Sequence, residues 1–91
     1  MKIAFLSQMG FTGKIPRNHP NMRTEFAQMC ALNATHHPLY DIDKISYHNY
    51  YDHVVLLIPK TAQDRARLFD VDVVKKARAI GKKIWFMQEG P

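Results

Sequence analysis

HVVLLIP, His53–Pro59, is the stretch whose reading decides the fold. Five consecutive branched aliphatic residues, Val54 to Ile58, are closed by a proline that cannot donate to a ladder, which predicts a strand with no polar face. A strand with one side in water alternates apolar with polar residues, whereas one buried on both sides does not. Burial on both sides belongs to parallel sheets covered by helices. Working outward, KIAFLS (Lys2–Ser7) and KKIWFMQ (Lys82–Gln88) carry the same signature, and PLYDI (Pro38–Ile42) reads as a further short strand.

The segments between these strands have helical period. Met22, Phe26, Met29 and Cys30 recur on one face, with Ala27, Ala31 and Ala34 filling the intervals. Pro20 fits the first turn, Asn18 or Asn21 the cap, and Glu25 the positive end of the dipole; Pro38 forces an end between Asn33 and His37. A second helical region runs from Thr61 to Ile80 with a break near Phe69 and Asp70. Its later half opens on Asp70 and Asp72, sets Val71, Val74 and Ala77 on one face, carries Lys75, Lys76 and Arg78 late, and stops at Gly81.

Strands alternating with helices imply an α/β fold with a doubly wound, mainly parallel, four-stranded sheet of the Rossmann or flavodoxin type. Right-handed crossovers, the rule in about 98% of cases, give the strand order 2-1-3-4. The winding then reverses between the first and third strands, and ligands in such sheets bind outside the strands' carboxyl ends at that point. The same topology places the first helix alone on one face. The third and fourth strands are therefore expected to be bare on that side, and a C-terminal domain or a homo-oligomer is expected to cover them. The 91 residues form a single domain, 1–91. QEGP follows directly on a strand end, so this domain is expected to be the N-terminal part of a longer two-domain protein.

Thirteen lysines and arginines against 8 acids give a net charge of +5, which favours anionic partners. A hydrophobic fraction of 46% excludes a disordered chain. The single cysteine, Cys30, excludes an internal disulfide, and MKIAFLSQMG is too short an apolar run for a signal peptide or a membrane span; a cytoplasmic protein with no membrane contact is expected. No recognition helix or aromatic platform for nucleic acid is visible. His36 and His37 lack neighbouring cysteines or spaced carboxylates, so neither a metal nor another cofactor is expected.

Chemistry concentrates in MGFTGKIPRNHPNMRTEF, Met9–Phe26. A glycine-rich, proline-rich, basic loop of about a dozen residues is uncommon unless it binds something. It is no Walker motif, since Gly10 and Gly13 stand too close together and Ile15 replaces the metal-binding hydroxyl; nor is it a dinucleotide fingerprint. Gly10 and Gly13 remain as points of close backbone approach, and Lys14, Arg17, Asn18 and Arg23 as anion contacts ahead of a helix N-terminus. Lys60, in the PKTAQ loop that leaves the third strand, joins them. His19 is a candidate base near neutral pH, and Glu89, just past the fourth strand, is a candidate general base. Tyr47, Tyr50 and Tyr51, with His48 and His53, either stack on a sugar or base or pack under the sheet edge.

Taken together, MKIAFLSQMGFTGKIPRNHPNMRTEFAQM, YDHVVLLIP and KKIWFMQEGP resemble the N-terminal domain of phage-type glycosyltransferases built from two Rossmann-like domains (GT-B). The resemblance implies transfer of a sugar from a nucleotide sugar to an acceptor hydroxyl, in a cleft between two domains. It implies that this domain holds the acceptor and the base, with Gly10, Gly13 and Lys14 lining the cleft and Glu89 at the fourth-strand position of an acidic group. A chain of this length carries half of such a site and would not turn over without a donor-binding domain. The alternative is a stand-alone α/β module that binds a nucleotide or a protein without catalysis.

Overall fold

The structure, a computed structural model, describes residues 1–19, 23–45 and 50–88. Its elements are β1 (Ile3–Ser7), β2 (Gly13–Lys14), α1 (Thr24–Ala31), β3 (Thr35–Pro38), a 3-10 turn (Leu39–Lys44), β4 (Tyr51–Ile58), α2 (Ala62–Leu68), α3 (Val71–Ile80) and β5 (Gly81–Gln88). Among the described residues the strands form a five-stranded sheet in the order β2-β3-β1-β4-β5. β3, β1, β4 and β5 run parallel, and β2 runs antiparallel to β3.

The α/β class and the mostly parallel sheet are as expected, but the four-stranded 2-1-3-4 sheet gives way to a mixed, five-stranded one. The added strand is part of the long loop: Gly13 and Lys14 lie opposite His36 and Thr35 on the outer edge of β3. Two residues carry no hydrophobic period, and Gly13 reaches this position with φ +132°, a region L side chains rarely adopt. The strand placed at PLYDI lies earlier, at Thr35–Pro38, and Leu39–Lys44 winds as a 3-10 turn instead. In such a turn residues three apart share a face, which is how Leu39 and Ile42 both reach the core.

The first helix is shorter than expected. Arg23 takes the cap position with extended backbone, so Asn18 is not the cap, while Pro20 and Asn21 lie outside the described residues. Its end is a Schellman motif: the Ala34 N–H reaches the Met29 carbonyl, the Asn33 N–H reaches Cys30, and Asn33 turns left-handed at φ 56°. The second helical region does break where its sequence breaks. Thr61 caps α2 by accepting the Asp64 N–H at 3.1 Å, and Asp70 caps α3 by accepting the Val73 N–H at 2.9 Å. Asp70→Ala should therefore cost about 1 kcal/mol in urea unfolding, against a few tenths for Asp72→Ala, which loses its interaction with the helix dipole and the attraction of Lys76 one turn on.

Both faces of β1 and β4 are buried, as their unbroken apolar runs require. Ala4, Leu6, Val54 and Leu56 pack under α3 and the 3-10 turn, against Val73, Ala77, Ile80, Leu39 and Ile42. Ile3, Phe5, Val55 and Leu57 pack under α1, against Phe26 and Met29, with Ile15 from the loop. The bare face expected over two strands contracts to one: α1 shelters β4, whereas Trp85 of β5 stays 54% exposed on that side. Among the described residues no helix is long and apolar enough to cross a membrane.

Candidate anion site at the strand switch

β1 and β4 are parallel neighbours, with Ile3 opposite His53 and Leu6 opposite Leu56. From β1 the chain crosses through α1 to β3 on one side; from β4 it crosses through α2 and α3 to β5 on the other. The carboxyl ends of β1 and β4 thus form a switch point of the kind that opens a crevice. A cleft of about 230 Å³ lies there, lined by Ser7, Gln8, Met9, Arg23, Phe26, Leu57 and Ile58. Sites for drug-sized ligands measure roughly 300–1,000 Å³, so this one has room for a phosphate-sized group rather than a whole nucleotide sugar.

The floor of the cleft is set by a buried polar chain. Ser7, the last residue of β1, places its hydroxyl 2.6 Å from Nε2 of His36. Nδ1 of His36 lies 2.8 Å from the Phe11 carbonyl, which can only accept, so Nδ1 carries the proton and Nε2 accepts the Ser7 O–H. The Met9 N–H in turn donates to the Ser7 oxygen at 3.2 Å. His36 is 0% exposed and packs against the rings of Phe5, Phe11 and Phe26. Burial lowers its pKa to about 4, outweighing the Phe11 hydrogen bond that favours the charged form; His37 and His19 lower it further. The imidazole is neutral at neutral pH. A serine beside an oriented histidine has the parts of an activated nucleophile. Here Ser7 is 1% exposed and the base is weak, so the chain serves as a lock that fixes the loop to β1 and β3.

The candidate residues are not gathered in one place. Among the described ones, the cleft takes Arg23. His19 stacks with Phe11 and Phe26, at 5.0 and 5.5 Å between ring centroids, in the same aromatic group as His36. Gly10 sits where a Cβ would come 3.1 Å from the Tyr40 hydroxyl. Gly13 and Lys14 are drawn to the far sheet edge, where the Lys14 ammonium donates to the Asn33 carbonyl at 2.6 Å. Arg17 lines a separate hollow with Ile15, Ala27, Cys30, Ala31 and Asn33, and Asn18 is exposed. The Lys60 carbonyl is held by Arg65 at 2.7 Å. Glu89, Tyr47 and His48 lie outside the described residues.

Ser7, Gln8, Met9, Phe26, Leu57 and Ile58 were missed as site residues. The available signal was positional, since Ser7 and Ile58 end the two strands that flank the switch. Among the described residues no group of His, Cys, Asp or Glu is placed to hold a metal ion. Compared with known proteins, the chain matches no family model, no curated protein and no solved structure.

Proposed function

We propose that this chain is a binding domain for a small phosphorylated ligand, held by its phosphate in the cleft between the ends of β1 and β4. One observation carries this reading: the crevice at the strand switch is lined by Arg23, the residue from which α1 begins. A guanidinium binds phosphate through paired, charge-assisted hydrogen bonds, and the amides of a helix's first turn add favourable dipole. Gln8 offers a further polar group, while Phe26, Leu57 and Ile58 give the cleft apolar walls.

Sugar transfer is the narrower form of this reading. It assigns the phosphate to a nucleotide sugar and the base to Glu89, which follows β5 in sequence, and it requires a second, donor-binding domain. The acceptor hydroxyl would lose its proton to Glu89 as its oxygen attacks the anomeric carbon and the bond to the nucleotide diphosphate breaks. None of the residues that line the cleft is a carboxylate, which favours binding alone over catalysis within the described residues.

The test is a calorimetric and amide-NMR titration with inorganic phosphate and with uridine and guanosine sugar nucleotides. Binding in the range of about 0.1–1 mM is expected, with shifts at Ser7, Gln8 and Leu57. Arg23→Ala should weaken it about tenfold or more, and Lys14→Ala, remote from the cleft, should not. Absence of binding, or equal affinity for the Arg23 variant, overturns the proposal.

A further inference from the structure

β5 is an edge strand of eight residues, in continuous register with β4 from His53 opposite Lys83 to Ile58 opposite Gln88. Among the described residues no strand lies on its other side. It therefore presents a row of backbone donors and acceptors to any further strand. Natural edges are blunted by proline, bulges or charge, yet here Lys82 and Lys83 guard only the beginning, and Ile84–Met87 is apolar. The exposure is two-sided. Trp85 opens on the α1 side, beside a hollow of about 380 Å³ shared with Met1, Ile3, Met29, Leu32 and His53. Phe86 opens on the α3 side, edge-on to Phe69 at 5.9 Å. Phe86 also borders that hollow while its ring meets Phe69, so the exposed apolar surface continues around the outer edge of the strand. Apolar residues on both faces mark a strand interior to a sheet.

We propose that two copies of this chain join antiparallel through β5, giving one sheet continuous across a two-fold axis. The charge pattern selects a second copy. An axis perpendicular to the sheet at Trp85 keeps every side chain on its own face, sets Lys83 opposite the partner's Met87 and Ile84 opposite the partner's Phe86, and pairs the two tryptophans. No lysine faces a lysine, whereas in-register parallel pairing would stack all four. Such an interface is isologous and closes at the dimer. Aromatic side chains bury about 150–250 Å² each, so the four half-exposed rings supply roughly 400 Å². Stable interfaces begin near about 1,200 Å², so the backbones and remaining side chains of two strands must supply the rest, and the dimer belongs at the weak end of the range.

Sedimentation velocity over about 1–300 µM should show a monomer–dimer equilibrium with a midpoint near about 10–100 µM. Raising the salt should tighten it, because each copy carries +5. Trp85→Lys, which sets two cations against each other at the axis, should raise the midpoint at least about tenfold. Tyr40→Ser, at an exposed position off the edge, and Arg23→Ala, in the cleft, should leave it unchanged. Should Trp85→Lys fail to fold, hydrogen exchange on the parent decides: the amides of Ile84–Phe86 should gain protection as concentration rises. A monomer throughout, growth beyond the dimer, or a dimer indifferent to Trp85→Lys overturns the proposal.

Discussion

Taking the protein from about pH 7 to about pH 4 is expected to remove roughly 3 kcal/mol from its unfolding free energy, through His36 alone. The folded imidazole has a pKa of about 4 against 6.5 for the free side chain. Between these values the unfolded chain binds a proton that the folded chain refuses. Stability therefore rises with pH across this window, is fully present above about 6.5, and is lost as pH falls toward 4. The cause is burial: a charge on His36 would lie among Phe5, Phe11 and Phe26, and the Ser7 hydroxyl would have to stop donating to Nε2 and find another acceptor. His37 acts in the same direction, its pKa lowered by burial against the opposing charge of Asp41. A domain of this size has about 5–14 kcal/mol in total, so the acid loss is a large share. Urea unfolding at a series of pH values measures it, and His36→Asn should flatten the dependence to what His37 contributes. A His36 ring that titrates near 6.5 by NMR would show that no such coupling exists.

The parts of the fold that could be read in the sequence are those whose signal is local. β1 and β4 announce themselves because both of their faces need apolar partners, and the break between α2 and α3 is visible because Asp70 can cap only a helix that starts there. β3 was misplaced because two of its four residues are His36 and His37, polar in sequence but buried in the fold. The partners that make their burial tolerable, Ser7 and Tyr51, lie on other strands. β2 could not be read because its pairing with β3 is a property of the sheet edge rather than of Gly13 and Lys14. That pairing also scattered the candidate site: once Lys14 joins the edge it no longer lies over the switch point. That Arg23 stands near a helix start was legible because it is a local feature of the sequence, and the Ser7–His36 contact was not because it depends on the register between β1 and β3.

Gly81→Ala is expected to destabilise the protein by about 1–3 kcal/mol, against the usual gain of about 0.4–1 kcal/mol for replacing a glycine whose backbone any residue can adopt. Gly81 has φ −145° and ψ 160°, ordinary extended backbone, so conformational freedom is not what the position requires. It requires space. A Cβ there would overlap Cγ2 of Val54 and stand 3.4 Å from the Tyr51 carbonyl. Val54 is 0% exposed and hemmed in by the cluster that includes Ala77 and Ile80, so it cannot swing aside. If this overlap is the cause, trimming the other partner should relieve it: Gly81→Ala combined with Val54→Ala should lose less than the two single changes together, by about 0.5–3 kcal/mol in urea unfolding. Strict additivity, or a Gly81→Ala variant as stable as the parent, would refute the steric account. The position matters beyond stability, since α3 passes into β5 at Gly81 with no intervening loop and Gly81 lies opposite Tyr51. Close approach at this point fixes the register in which the edge strand is presented, and so determines which residues of β5 a second copy would meet.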